Sequence, residues 1–257
     1  ESIILPSTVK VIGASAFSYC AKLLNVQLND GLTIIRGDAL KYCTSLESIK
    51  LPSTLKVIGD GVFCGCSKLV DIQLNEGLDE IKSNAFSGCT SLEIVKLPST
   101  VAVIGVGAFR FCEKLVKIEL NEGLESIGNH AFFGCTALES IALPSTIKMI
   151  KGKGAFSHCT SLVKIELNEG LWEIGSNSFR ECTSLESVLV PSTVKVIERY
   201  AFSGCSSLVN VHLNEGLETI GVGAFKYCIS MQQITIPSTL KEIHLGRLFD
   251  MRSRLFH

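Results

Sequence analysis

The chain has 257 residues, a formal net charge of −1, 46% hydrophobic residues and 19% charged residues. That much apolar surface supports a continuous core and excludes a disordered segment, and near-neutrality excludes the electrostatic footprint of a nucleic-acid or anionic-membrane binder. No apolar run approaches a membrane span, and Pro, Gly and Ser are spread without a linker, so one body is expected, with no membrane insertion.

The first predicted element is a short apolar strand, Ile3 to Leu5, followed by a Pro6-Ser7-Thr8 turn and then by Phe17 and Cys20. The sequence opens at Glu1 in mid-pattern, without an initiator Met or signal peptide, and reads as a fragment or a mature form. The same series then returns along the chain. Cys20 is followed by Cys43, Cys66, Cys89, Cys112, Cys135, Cys159, Cys182, Cys205 and Cys228, every interval being 23 residues except one of 24 between Cys135 and Cys159. A Phe three residues earlier keeps the same step, from Phe17 through Phe63, Phe86 and Phe109 to Phe225, with Leu40 alone departing. One unit reads Leu46-Glu47-Ser48-Ile49-Lys50-Leu51-Pro52-Ser53-Thr54-Leu55-Lys56-Val57-Ile58-Gly59 and runs on to Phe63 and Cys66.

A 23-residue unit is too short to bury its own apolar side, so units must stack. Leu-x-x-Ile-x-Leu alternates inward and outward as a strand does. Eleven such strands, stacked in parallel at roughly 4.8 Å, make a body about 50 Å long. The apolar pair after each turn, Leu55 with Ile58 or Leu78 with Ile81, predicts a second short extended segment.

Leu46-x-x-Ile49-x-Leu51 resembles the leucine-rich repeat signature, and the wider Leu-Pro-x-x-Leu-x-x-Ile-Gly-x-x-Ala-Phe-x-x-Cys pattern is similar to the BspA-like class. It departs from the commoner pattern in having no Asn ladder after the strand and in placing Leu55 one position early. The resemblance implies a β-rich repeat solenoid: a leucine-rich repeat horseshoe or arc, with a parallel β-sheet on the concave face and short extended or irregular segments on the convex face. It covers residues 1–243, about ten to eleven coils; residues 244–257 fall out of register and read as a C-terminal tail, either a cap or an unrelated continuation. It also implies a protein-interaction or adhesion module and a cell-surface or secreted location. The free-cysteine ladder and the absence of Asn-x-Ser/Thr sequons are equally compatible with the cytoplasm. The alternative function is a structural spacer arm within a larger protein.

A longer period of 46 residues runs through the turns. Pro-Ser-Thr, at Pro6, Pro52, Pro98, Pro144, Pro191 and Pro237, alternates with Asn-acid-Gly-Leu, at Asn29, Asn75, Asn121, Asn168 and Asn214. Pro fixes φ and Gly permits φ > 0, so both are turn chemistry at one place in the coil. The outward position of the second segment runs Lys10, Thr33, Lys56, Asp79, Ala102, Glu125, Lys148, Trp172, Lys195, Glu218, Lys241. The doubled period is expected to set Lys56 beside Asp79, Glu125 beside Lys148, and Lys195 and Lys241 beside Glu218. Each such pair contributes about 0.2–1 kcal/mol.

No catalytic, cofactor or metal site is expected, and the chain reads as a non-enzyme. The ladder cysteines lie one coil apart in a line, which does not converge as a tetrahedral zinc site requires, and parallel Cβ vectors suit disulfides poorly. Buried reduced thiols are the reading, with Cys64 solvent-facing because its counterparts are Ser18, Lys41, Ser87, Arg110, Ser157, Arg180, Ser203 and Lys226. The histidines His130, His158, His212, His244 and His257 scatter over different faces, and no Ser/His/Asp or Cys/His set falls in register. Gly105–Gly107, Gly152–Gly154 and Gly221–Gly223 are repeat turns, without the strand–loop–helix context of a phosphate loop. Asp30, Glu76, Glu122, Glu169 and Glu215 form an acidic row roughly 10 Å apart, too wide for shared calcium coordination.

The open strand face is the expected recognition surface, since the residues flanking each central Ile or Val vary while the rest of the unit repeats. A partner, a protein or other macromolecular surface, is expected between Ile94 and Glu166. There Lys96, Lys117, Glu119, Lys164 and Glu166 gather charge, and Ile94 and Ala142 supply apolar contact. No aromatic residue belongs to this set.

Overall fold

A computed structural model describes residues 1–150 and 153–243. Lys151 and Gly152 of the long coil and the tail 244–257, with His244 and His257, lie outside the described residues, as does the expectation that the tail is a cap. Each coil contributes two short strands, typified by Ser48–Lys50 and Val57–Ile58, and no helix occurs among the described residues. The first strand is Ser2–Ile4, one residue earlier than expected, although the Leu5 amide still donates to the Gln27 carbonyl at 3.0 Å.

The three-residue strands bury their central Ile or Val and expose both neighbours, as the alternation dictates. Every pairing is parallel and advances by one unit: Ser48 opposite Asp71, Ile49 opposite Ile72, Lys50 opposite Gln73. The two-residue strands form a six-stranded ladder from Val11–Ile12 to Ser126–Ile127 and a five-stranded one from Met149–Ile150 to Glu242–Ile243. The break falls at the coil that carries the extra residue.

The core is a set of columns. Phe63, Phe86, Phe109, Phe132, Phe156, Phe179, Phe202 and Phe225 stack nearly parallel, with successive ring centroids 5.2–5.4 Å apart. All are fully buried. Burying each ring contributes on the order of 2–3 kcal/mol, and each stacked pair about 0.5–1.5 kcal/mol more. Where Leu40 replaces Phe, the following coil places Val62 at the position that Ala39, Ala85 and Ala108 hold elsewhere. The larger neighbour offsets the smaller one.

The cysteine column does more than fill space. Each ladder thiol reaches a carbonyl one coil back, Cys89 to Phe63, Cys112 to Phe86 and Cys135 to Phe109, all at 3.2 Å. These are weak donors, and each adds a second partner to a carbonyl that already accepts a backbone amide, that of Cys66 on Phe63 and of Cys89 on Phe86, both at 3.1 Å.

Two backbone positions per coil lie in the left-handed region, two residues before and two after the core aromatic. Glycine takes them in one coil, Gly61 at φ +61° and Gly65 at +73°, whereas Asn84, His130 and Tyr200, or Tyr42, Phe111 and His158, take them in others. The expected Gly-x-Gly turns belong here, with Gly107 at φ +61° and Gly223 at +63°.

The doubled period has a different cause from the one expected. Asn121 reaches back one coil, its Nδ2 donating to the carbonyls of Pro98 at 2.7 Å and Val101 at 3.0 Å, while its Oδ1 accepts from the Gly123 amide at 2.6 Å. Glu122 reaches forward and accepts from the Ser145 amide at 3.0 Å and the Ser145 hydroxyl at 2.8 Å. Glu76 with Ser99 and Glu215 with Ser238 repeat the forward contact. A Pro-Ser-Thr turn offers carbonyls and hydroxyls; an Asn-acid-Gly turn offers an amide and a carboxylate. Each satisfies the other, which two identical turns could not do.

The expected charge alternation is largely absent among the described residues. Lys241 pairs with Glu218 at 2.7 Å, but Lys56–Asp79 and Glu125–Lys148 form no ion pair. Lys148 Nζ donates to the Ser145 carbonyl and Lys195 Nζ to the Gly216 carbonyl, each at 3.1 Å. The ammonium groups of Lys10 and Lys56 lie against Gly31 and Gly77. A turn glycine leaves room for the lysine of the preceding coil, and a solvent-exposed acid exerts too weak a pull to draw it out.

Candidate interaction surface

The strands Ile94–Lys96, Lys117–Glu119, Ser140–Ala142 and Lys164–Glu166 bring the expected residues together on one exposed face. Ile94 is opposite Lys117 and Lys96 is opposite Glu119; further along, Ser140 is opposite Lys164 and Ala142 is opposite Glu166. Ile94 stands 60% exposed. Four of these charges are paired. Lys117 pairs with Glu119 at 2.7 Å and Lys164 with Glu166 at 2.5 Å, each within its own strand, because residues two apart point to the same side. The Lys117 ammonium beside Glu119 holds its carboxyl below the usual range.

A feature missed in the sequence lies at the strand entries. Leu24, Val70, Val116 and Val163 are exposed, and the corresponding positions of the intervening coils are Glu47, Glu93, Glu139 and Glu186. The alternation follows the doubled period and was legible there. It places an apolar residue on alternate coils, with a glutamate between, next to Lys117 and Lys164 in the chain.

The acidic row is exposed, and Glu76, Glu122, Glu169 and Glu215 each accept a hydrogen bond from a serine one coil on, Ser99, Ser145, Ser192 and Ser238. Two other expectations are corrected. Cys64 is not the accessible thiol: it is half-buried, and burial pushes its thiol up, whereas Cys20 in the first coil is exposed because no described coil covers it. His130 and His158 are not scattered, because both rings flank Phe133, at 5.5 and 5.1 Å.

The ladder thiols are unbridged, and burial raises Cys43 to about 11 and Cys159 to about 12. No cluster of three His, Cys, Asp or Glu side chains suited to a metal occurs among the described residues, and no described helix is long and apolar enough to cross a membrane. The surface offers shape, apolar contact and paired charge, which suits recognition.

The family model for the BspA type leucine rich repeat region matches in six copies, over residues 1–115, 33–153, 79–186 and 137–252. No curated protein matches the sequence. Among solved structures, a leucine-rich repeat protein from Bacteroides ovatus aligns with TM-score 0.68 and 26% identity over 94% of this chain and 82% of its own. A leucine rich repeat protein of T. pallidum aligns with TM-score 0.57 and 37% identity over 76% and 79% of the two chains. A leucine rich cell surface protein from Faecalibacterium prausnitzii aligns with TM-score 0.57 and 28% identity over 89% and 69%. The pneumococcal vaccine antigen PcpA aligns with TM-score 0.67 and 27% identity; 93% of this chain is covered, but only 62% of the antigen. The columns, the parallel ladders and these matches agree: the chain belongs to the BspA-type leucine-rich repeat family.

Proposed function

We propose that this chain is a protein-interaction module that docks a macromolecular partner on the strand face between Ile94 and Glu166. The observation that carries the reading is the exposed Ile94 opposite Lys117, with Val116 and Val163 at the neighbouring strand entries and the Lys117–Glu119 and Lys164–Glu166 pairs on the same face. Apolar contact at the centre supplies affinity, and charged pairs at the rim orient a partner. That similar solved structures include a cell surface protein and a vaccine antigen supports a role at a surface.

The test is the double reversal Lys117→Glu and Lys164→Glu. Both side chains are exposed and paired only with a neighbour on their own strand, so folding should be unaffected. Binding of an identified partner should weaken tenfold or more, about 1.4 kcal/mol. Unchanged affinity after both reversals would remove the docking site from this face.

A further inference from the structure

The turn side of the solenoid carries a second cluster, distinct from the strand face. Arg110 places its guanidinium 4.7 Å from the centre of the Phe111 ring and 5.2 Å from that of Phe133. Phe111 and Phe133 meet edge to face at 5.4 Å, and His130 and His158 border Phe133. Lys153 adds positive charge beside His130, whose own pKa is lowered by burial and then by Arg110. Arg110 forms no ion pair among the described residues.

Phe111 is costly where it stands. Its backbone has φ +57°, and the equivalent positions hold Gly65, Gly88, Gly134 and Gly204 in some coils and Tyr19, Tyr42, His158, Glu181 and Tyr227 in others. A glycine there would relieve the strain and remove an aromatic ring that is 40% exposed. The ring lies over Gly134 of the next coil, as the Tyr42 ring lies over Gly65, and it is the one such ring that a guanidinium joins through two aromatic contacts. Phe111 and Phe133 both hold the Arg110 guanidinium against their rings, and Arg110 remains exposed. A guanidinium stacked in this way has lost little freedom still to lose, and its fork matches a carboxylate with two parallel hydrogen bonds.

We propose that this cluster is a docking site for an acidic peptide segment of a partner protein. An Asp or Glu carboxylate meets the Arg110 edge, and an adjacent apolar side chain lies on Phe111. The charge complementarity is local: Arg110 and Lys153 flank the rings while the whole chain is nearly neutral. A nucleic acid would need a basic track that this surface lacks.

The test is selection of a random dodecamer phage library on the immobilised full chain, followed by fluorescence polarisation with the enriched peptide. Enriched sequences should carry Asp or Glu next to Phe, Leu or Trp. Arg110→Ala and Phe111→Gly should each weaken binding at least tenfold, and Arg110→Lys, which keeps charge but loses the planar fork, should recover only part. Arg110→Ala and Phe111→Gly should both remain fully folded at the assay temperature by thermal unfolding, which separates lost binding from lost structure. The double reversal Lys117→Glu, Lys164→Glu should leave this peptide bound, so the two surfaces fail or stand independently. No enrichment, enrichment without acidic residues, binding that survives Arg110→Ala, or displacement by millimolar inorganic phosphate would each overturn the assignment.

Discussion

The thiol of Cys112 donates to the carbonyl of Phe86 at 3.2 Å, and both residues are completely buried. The cysteine therefore joins two coils through a polar contact inside an apolar column. Cys112→Val keeps an apolar side chain of similar size but removes that donor, leaving the carbonyl with its backbone bond from the Cys89 amide at 3.1 Å. It should cost about 0.5–1.5 kcal/mol, read as a lower urea midpoint with an unchanged slope. A valine variant as stable as the parent would show that the column needs only volume.

The same burial makes stability fall at high pH. An unfolded thiol ionises near 9.0, whereas Cys159 is held protonated up to about 12 and Cys228 likewise, burial being the main cause in both. The stabilisation is complete below the unfolded value and is lost as pH rises toward the folded one. Between pH 9 and 12, each such thiol should remove about 1.4 kcal/mol per pH unit. Urea midpoints in reducing buffer should be level from pH 6 to 8 and decline steeply above 9; a midpoint independent of pH would contradict the buried ladder.

Thiol reactivity should follow burial. Cys20 should react first with a disulfide reagent in the native protein, Cys64 more slowly, and the buried ladder only after denaturation. Reagent titration followed by peptide mapping checks the order. Several native intramolecular disulfides would be incompatible with it.

The two turn types should be unequal partners. Asn121→Ala removes two donors to partly buried carbonyls and the acceptor for the Gly123 amide, and should cost about 2–3 kcal/mol. Glu122→Ala loses a solvent-screened cap on Ser145 and should cost only about 0.5–1 kcal/mol. A double-mutant cycle of Glu122→Ala with Ser145→Ala should show positive coupling, which Glu122→Ala with Ser99→Ala should lack.

The phenylalanine column predicts a compensation. Leu40→Phe alone should destabilise, because Val62 occupies space that an alanine leaves open in the other coils. Adding Val62→Ala should restore the parent stability or exceed it by extending the ring stack toward Phe17. Thermal midpoints of the two single variants and the double variant decide this.

Period, strand positions and inward columns were determined by the sequence alone, because a repeated unit places each apolar residue at one radial position in every coil. Ile49, Phe63 and Cys66 need no tertiary information to be read as core. The exposed strand-face residues followed from the same alternation. Contacts between coils were decided only by the tertiary structure, since they join residues about 20 to 26 apart through side-chain length and turn shape. That is why Asn121 and Glu122 were read as turn residues but not as a two-way clasp, and why Lys148 was assigned to Glu125 when it bonds the Ser145 carbonyl instead. It is also why His130 and His158 looked unrelated. They occupy different left-handed positions of successive coils, and only stacking closes the distance between each of them and Phe133.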